Sequence, residues 1–280
     1  MAYKLIAFDM DGTLLDDDKR VPPRNLRALW AAADRGYHIV PATGRMVGAL
    51  PEELSDPRIR YYILINGAMV YDAREDRVLY EGNIPVEQAL ELCAFLDELP
   101  VFYDCYLENQ GYMDGDMYDN LEPFFEKVPV MLGYVRSIRS RVPSLAAFIR
   151  ERKAAVQKMQ IYFRPEQEEL RQELLREIPR RFPALCATTS LPNNIEVNSV
   201  EADKGKGLAA LCRALGLDVS ESIAFGDGSN DTAMLRAAGL GVAMANGEPA
   251  VKAAADALAK SNNEAGVGLF LEEMIARGQL

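Results

Sequence analysis

The chain has 280 residues, of which 49% are hydrophobic, and its formal net charge is −11. This length and apolar content suffice for a sizeable buried core in one or two domains and exclude a disordered chain. The negative charge disfavours DNA, RNA or an anionic membrane surface as partners, and no stretch approaches the roughly 20 apolar residues of a membrane span. We therefore expect a soluble, cytoplasmic protein with no nucleic-acid or membrane partner.

Short apolar runs alternate with helical patterns at the start of the chain. They predict, in order, a strand over 4–9, a helix over 22–36, and strands over 37–43 and 61–66. Pro22 and Pro23 suit the first turn of the helix, and Gly36 suits its exit. Near-continuous apolar strands separated by helices indicate a parallel sheet that is covered on both faces.

The middle of the chain differs in composition and contains most of the aromatic residues and prolines. Its predicted elements are helices over 86–98, 144–153 and 166–178 and strands near 101–107, 156–164 and 184–189. The last third returns to the first pattern, with helices over 204–216 and 230–238, strands over 221–227 and 240–245, and a closing helix after Gly266. We therefore predict a doubly wound, Rossmann-like α/β core from 1–83 and 191–280, with 84–190 inserted as an α/β domain.

Two common kinds of centre are not favoured by the residue inventory. Four cysteines lie among apolar neighbours without a CxxC pair, which argues against a zinc site. The only histidine of the sequence, His38, falls in a predicted buried strand. No GxSxG segment supplies a nucleophile to partner it, so a Ser-His-Asp hydrolase is not expected.

The segment DMDGTLL at 9–15 brings two carboxylates to the end of the first predicted strand. Ligands bind beyond the carboxyl ends of strands in open α/β sheets, and Asp9 and Asp11 lie at such an end. Two carboxylates this close repel each other unless a cation or a proton lies between them. Mg²⁺, which prefers oxygen ligands, is the natural counter-ion. Acidic turns after strands are common, so this pair alone is a modest signal.

Anion-binding groups lie beside two further strand ends. Thr43 and Gly44 directly follow the second strand, where a hydroxyl and free amides at a helix start can bind an anion. Thr43 as a helix N-cap fits equally well and does not exclude that role. Lys204 begins a core helix, and taken alone it is more simply interpreted as a solvated side chain.

The segment GDGSND at 226–231 adds another set of polar side chains after a strand. Asp227 lies at the strand end, and Asp231 follows about one helical turn later, so both carboxylates could face one metal ion. Asn230 lies between them. An ordinary Gly-Asp turn is the simpler interpretation of this segment alone, but all four clusters would meet at the same edge of one sheet.

Taken in order, these motifs resemble the Cof-type subfamily of haloacid dehalogenase-like hydrolases. The motifs are DMDGTLL, TGR at 43–45, NGA at 66–68, KGKGL at 204–208, GDGSNDTAM at 226–234 and VAMANG at 242–247. The insert at 84–190 falls where this subfamily carries its α/β cap domain. The resemblance implies a Mg²⁺-dependent phosphatase that acts on a small phosphorylated metabolite, such as a sugar phosphate or a cofactor phosphate.

The resemblance also implies a role for each site residue. Asp9 would attack phosphorus and become an aspartyl-phosphate, while Asp11 would protonate the leaving oxygen and then activate the hydrolytic water. Mg²⁺ would be held by Asp9, the backbone carbonyl of Asp11 and Asp227, with Asp231 nearby, directly or through water. The residues expected to bind the phosphoryl oxygens are Thr43, Gly44, Lys204 and Asn230.

Three other functions are alternatives to the phosphatase. A phosphomutase of the same superfamily would transfer the phosphoryl group to a second hydroxyl instead of water. A dehalogenase shares the core, but its residue two after the nucleophile is not an acid, whereas here it is Asp11. A non-catalytic phospho-ligand-binding or receiver-like module has no evident need for Lys204, Asp11 and a large insert together. The core motifs cannot choose among leaving groups, so 84–190 is expected to act as a lid that recognises the organic part of the substrate.

Overall fold

The structure, a computed structural model, describes residues 3–280, so the first two residues of the predicted 1–83 core segment lie outside the described residues. The chain forms two compact units. The core unit comprises the described residues up to Glu81 together with Ala202–Leu280, and the cap unit is Gly82–Glu201. No helix in the described part of the chain has both the length and the apolar character needed to cross a membrane.

The first segment of the core unit contains buried strands and one helix. Its elements are β1 (Leu5–Phe8), α1 (Pro23–Ala33), β2 (His38–Pro41), β3 (Tyr61–Leu64), β4 (Met69–Asp72) and β5 (Arg77–Glu81). All side chains of β1 are buried, as expected for a strand covered on both faces of a parallel sheet. Pro23 begins α1, since the first helical position needs no backbone N–H.

The cap unit is built around one mixed sheet. Its elements are α2 (Val86–Leu96), β6 (Phe102–Leu107), β7 (Gln110–Asp114), α3 (Gly115–Asp119), α4 (Pro129–Ser137), β8 (Arg139–Val142), α5 (Leu145–Arg152), β9 (Lys158–Tyr162), α6 (Glu168–Arg181), β10 (Leu185–Thr188) and β11 (Asn194–Ser199). The strand order is β10-β11-β9-β6-β7-β8. The insert was predicted to end at 190, but β11 pairs with β9 and β10, so the unit extends to Glu201.

The two faces of the cap sheet differ in polarity. Apolar side chains of one face pack with α2, α5 and α6 in a buried cluster. Alternate residues point to the opposite face, and there Arg139 donates to Asp104 at 2.7 Å and Lys158 to Glu196 at 3.1 Å. All four residues are buried. Charges buried in this way are tolerated because each has a hydrogen-bonded partner of opposite sign.

The final segment completes the parallel sheet of the core unit. Its elements are α7 (Lys204–Leu215), β12 (Ser222–Gly226), α8 (Thr232–Ala237), β13 (Leu240–Met244), α9 (Pro249–Ala254), β14 (Ala257–Ala259) and α10 (Gly266–Ala276). The strand order is β14-β13-β12-β1-β2, and all neighbours run parallel. Beyond β2, the antiparallel set β3-β4-β5 continues through a bridge between Ala42 and Ile63. The predicted α/β class with a parallel core sheet is confirmed.

Candidate active site

Three neighbouring parallel strands end at the same edge of the core sheet. β1 lies between β12 and β2, and the ladder continues past the strand ends. The Asp9 N–H donates to the Phe225 carbonyl at 2.9 Å, and the Ala42 N–H donates to the Phe8 carbonyl at 2.8 Å. Polar residues that directly follow these strands are therefore held close together, as parallel-sheet geometry requires.

Lys204 joins two of the predicted aspartates. Its Nζ donates to Oδ1 of Asp9 and to Oδ1 of Asp231, both at 2.6 Å, and the lysine is fully buried. Burial lowers the pKa of Lys204, but the two carboxylates outweigh burial, so its pKa lies above the ordinary value. The ammonium therefore stays charged and holds together two carboxyl groups from the segments that follow β1 and β12.

A turn from another part of the core unit packs against the start of α7. A 3-10 turn spans Ile65–Gly67, and Gly67 has a φ of +92°. A Cβ atom on Gly67 would lie 2.3 Å from the backbone oxygen of Asp203, the N-cap of α7. Only glycine permits this approach, which helps to place Lys204, the first residue of the helix.

Three carboxylates form a cluster that fits a divalent cation. Asp9, Asp227 and Asp231 each offer one oxygen, and these oxygens lie within 4.8 Å of one another. Burial raises the pKa of Asp9 to about 8 despite the opposing charge of Lys204, and nearby carboxylates add to the increase. Burial also raises the pKa of Asp227 to about 6, although the Thr13 hydroxyl opposes the shift. Crowded carboxylate oxygens of this kind are the ligand set that Mg²⁺ prefers.

The two oxygens of Asp231 have different protein partners. Oδ1 accepts from Lys204, and Oδ2 accepts the backbone N–H groups of Asp227 and Gly228, both at 3.0 Å. Through these contacts Asp231, the last residue of the 3-10 helix Ser229–Asp231, holds the backbone of the turn after β12. Asp231 therefore shapes the Asp227 turn and orients the lysine at the same time.

The loop after β1 packs directly on Asp227. The Thr13 hydroxyl donates to Oδ1 of Asp227 at 2.6 Å. Gly12 has a φ of +83°, and a Cβ atom there would lie 2.3 Å from Oδ2 of Asp227. The DMDGT segment thus needs glycine at this position both for its backbone conformation and for the close approach of the carboxylate.

Asp11 is engaged by two cations. Its Oδ2 accepts from Nε of Arg45 at 2.9 Å, and its Oδ1 accepts from Arg45 Nη2 at 2.7 Å and from Lys19 Nζ at 2.9 Å. Burial raises the pKa of Asp11, but the hydrogen bonds and charges of Arg45 and Lys19 outweigh burial, so its pKa lies below the ordinary value. The carboxylate is held ionised in this arrangement.

Three of the four predicted phosphoryl-binding residues, Thr43, Gly44 and Asn230, lie around Asn66. The Asn230 amide donates to Oδ1 of Asn66 at 3.2 Å, and a Cβ atom on Gly44 would lie 2.8 Å from the same oxygen. Thr43, next to Gly44, is buried, and its hydroxyl accepts the N–H of Arg45 at 3.2 Å. Asn66 itself has a left-handed backbone, with a φ of +58°.

The structure places the predicted residues at one sheet edge in two sets. The carboxylate cluster and its neighbours comprise Asp9, Asp11, Lys204, Asp227 and Asp231, and the second group comprises Thr43, Gly44 and Asn230. Sequence reasoning assigned no role to Thr13, Asn66 or Arg45, which contact these groups. Thr13 lies in DMDGTLL, Asn66 in NGA and Arg45 in TGR. Their positions inside these motifs were the only sequence signal that could have indicated a role in the site.

Comparison with known proteins supports a common origin over the whole chain. A family model described as haloacid dehalogenase-like hydrolase matches residues 6–271. The 5-amino-6-(5-phospho-D-ribitylamino)uracil phosphatase YcsE of Bacillus subtilis (strain 168) is 30% identical over 274 residues, which cover 97% of this chain and 96% of that protein. The pyridoxal phosphate phosphatase YbhA of Escherichia coli (strain K12) is 28% identical over 282 residues, 97% of this chain and 98% of its own.

A solved structure extends the similarity to three dimensions. The sugar phosphatase BT4131, of subclass IIB of the same superfamily, matches with a TM-score of 0.77 and 28% sequence identity. The match covers 99% of this chain and all of that one. Both the core unit and the cap unit therefore have counterparts in a single known protein.

Proposed function

This chain belongs to the haloacid dehalogenase-like hydrolases and is a phosphatase of that family, and we propose that it hydrolyses small phosphorylated metabolites with Mg²⁺ through an aspartyl-phosphate intermediate. The observation that carries this proposal is the buried Lys204, which donates at 2.6 Å to Asp9 and to Asp231, two members of a three-carboxylate cluster. The similar proteins are named for a phosphoribityl compound, pyridoxal phosphate and sugar phosphates. Their names support a sugar phosphate or a cofactor phosphate as the substrate.

Asp9 is the proposed nucleophile. It directly follows a buried strand, which limits its backbone motion, and its Oδ1 is occupied by Lys204. The second lone pair of Oδ1 could ligate the metal ion, which leaves Oδ2 as the atom that attacks phosphorus. The attack forms the Oδ2–P bond and breaks the bond from phosphorus to the leaving oxygen, which divides a very slow reaction into two easier steps.

The metal site uses residues from the ends of β1 and β12. Asp9, Asp227 and the backbone carbonyl of Asp11 would hold Mg²⁺. When bound, the ion would neutralise charge on the phosphoryl oxygens. Both oxygens of Asp231 already accept hydrogen bonds from the protein. We therefore assign Asp231 to orientation of Lys204 and the Asp227 turn, and to contact with the ion through water.

The remaining residues bind the phosphoryl group and move protons. Thr43, Gly44 and Asn230, together with Lys204, would donate hydrogen bonds to the phosphoryl oxygens and stabilise their charge in the transition state. Asp11 is ionised in the described arrangement, so it would have to take up a proton before it protonates the leaving oxygen. As the ionised carboxylate it would then take a proton from the water that attacks the aspartyl-phosphate. In this scheme every step has a protein group that performs it.

The proposal is tested by measuring phosphate release from a panel of sugar phosphates and cofactor phosphates with Mg²⁺. We expect release from at least one compound, loss of turnover in Asp9→Asn, and unchanged turnover in Asp18→Asn, an exposed acid of the same loop. Acid quenching with labelled substrate should leave the label on Asp9. Label on another residue, or transfer to a second hydroxyl without phosphate release, would contradict the proposed reaction, and the latter would identify a phosphomutase.

A further inference from the structure

The guanidinium group of Arg45 makes a bidentate contact with the carboxylate of Asp11. Nε and Nη2 reach Oδ2 and Oδ1 at 2.9 and 2.7 Å. A two-point contact of this type fixes the plane of a carboxylate, because each oxygen is held by its own N–H. Lys19 also reaches Oδ1, but its side chain is 60% exposed, against 22% for Arg45. Arg45 is therefore the residue that determines the orientation of Asp11.

Arg45 is itself anchored to the core unit. Its Nη1 donates to the Ala49 carbonyl at 3.0 Å, so the side chain is held beyond its contact with Asp11. Its backbone N–H donates to the Thr43 hydroxyl at 3.2 Å, and its carbonyl accepts from Ile65 at 3.1 Å. The orientation of Asp11 is thus set by the same segment that carries a proposed phosphoryl-binding group.

We propose that Arg45 is a positioning residue that aims the Asp11 carboxylate at the water which hydrolyses the aspartyl-phosphate. This inference rests on the proposed function. In that step the water oxygen bonds to phosphorus while the bond from phosphorus to Asp9 breaks, and that bonding pair returns to the Asp9 carboxylate. One water proton passes to Asp11, which needs an ionised oxygen with its lone pair directed at the water.

The shape of the arginine side chain matters for this role. A carboxylate rotates about its Cβ–Cγ bond unless both oxygens are held, and misalignment of a base slows proton transfer. A guanidinium holds two oxygens at once, whereas a lysine ammonium is a single point of charge. Arg45→Lys therefore keeps the charge beside Asp11 but removes the constraint on its plane.

The test separates formation from breakdown of the phosphoenzyme, with p-nitrophenyl phosphate as substrate. Its leaving group departs without a proton, so phosphorylation of Asp9 does not depend on Asp11. In rapid-quench experiments, we expect Arg45→Ala and Arg45→Lys to phosphorylate at the wild-type rate. Breakdown should slow by at least about tenfold and by no more than the ~10²–10⁴-fold that general acid–base catalysis contributes, and phosphoenzyme should accumulate.

Two comparisons distinguish positioning from a general structural effect. Arg60 holds Asp72 of the same unit by an equivalent two-point contact, at 2.8 and 2.7 Å, so Arg60→Ala is the matched control and should leave both rates unchanged. Arg45→Ala combined with Asp11→Asn should be no slower than Asp11→Asn alone, because both substitutions remove the same function.

The outcomes that overturn the inference are distinct from those that overturn the proposed function. Equal slowing of both steps with a raised KM would identify Arg45 as a phosphate ligand. Additive losses in the double variant would show that it acts independently of Asp11. Absence of any phosphoenzyme in the wild-type protein would instead contradict the proposed reaction itself. Arg45→Lys is the control for misfolding of Arg45→Ala, because lysine retains the positive charge and the aliphatic part of the arginine side chain.

Discussion

Lys204 and Asp9 form a buried ion pair, with Nζ donating to Oδ1 at 2.6 Å. The pair joins the first residue of α7 to the residue that follows β1, although 195 positions separate them in the chain. The same ammonium reaches Asp231 at 2.6 Å, so one cation serves two carboxylates. Function and stability are therefore coupled at this lysine.

Replacing Lys204 with methionine should reduce both turnover and stability. The substitution leaves two buried carboxylates without their cation, and removal of one partner of a buried pair costs about 3–5 kcal/mol. Urea unfolding in the presence of chelator measures the stability, and phosphate release measures the turnover. Lys206→Met, an exposed position on the same helix, is the control and should be unchanged. Equal stability of the two variants would refute a structural contribution of the buried ammonium.

Mg²⁺ should stabilise the protein as well as activate it. An ion that binds only the folded state at 100 times its Kd adds about 2.7 kcal/mol to the free energy of unfolding. We expect EDTA to abolish phosphate release, and Mg²⁺ to raise the Tm of the wild-type protein. The shift should be largely lost in Asp227→Asn and retained in Asp18→Asn. Ca²⁺ should not support turnover, because its larger coordination number allows it to engage both oxygens of Asp9.

An undiminished Mg²⁺-induced Tm shift in Asp227→Asn would show that the ion binds elsewhere. The same experiment with Ca²⁺ separates binding from activation. A Tm increase without turnover is the expected Ca²⁺ result, since the calcium ion would occupy the nucleophile while still stabilising the folded state.

The metal-free protein should lose stability as the pH rises through the range in which Asp9 of the carboxylate cluster titrates. Burial raises the pKa of Asp9 to about 8, whereas an unfolded aspartate titrates near pH 4. Between these values the folded state binds more protons than the unfolded state, so the free energy of unfolding falls with increasing pH. Asparagine does not ionise. The stability of Asp9→Asn relative to wild type, measured by urea unfolding in EDTA, should therefore increase from about pH 5 to about pH 8. A difference that does not vary with pH would contradict the raised pKa.

Gly12→Ala should damage the site more than its backbone strain alone predicts. A non-glycine residue in the left-handed region costs about 1–2 kcal/mol. At Gly12 the added Cβ atom would also lie 2.3 Å from Oδ2 of Asp227 and displace that carboxylate. Gly36 has a comparable φ of +92° with no atom within 4 Å of an added Cβ, so Gly36→Ala supplies the strain without the clash. We expect phosphate release to fall in Gly12→Ala only, and similar losses in both variants would exclude the clash as the cause.

Two of the segments that the sequence did not predict, β8 and β11, share a physical feature. β8 contains Arg139 and Arg141, so its pattern does not resemble a buried strand. It is nevertheless part of the cap sheet, because Arg139 pairs with Asp104 of β6, 35 positions away. Similarly, β11 carries Glu196 and Asn198 on one face. Their polar partners are Lys158 of β9 and the carbonyl of Gln157, which directly precedes β9. Local hydrophobic periodicity cannot reveal a strand whose buried side chains are charged and paired with distant residues.

The sequence by itself determined the parallel core sheet and the placement of Asp9 and Asp227 at its edge. Apolar strands that alternate with helices have one favourable arrangement, and residues that follow such strands must lie at their carboxyl ends. Only the tertiary structure decided which side chains meet there. Arg45 donates to Asp11 and Thr13 donates to the Asp227 carboxylate, because hydrogen-bond partners are determined by distances between segments far apart in the chain.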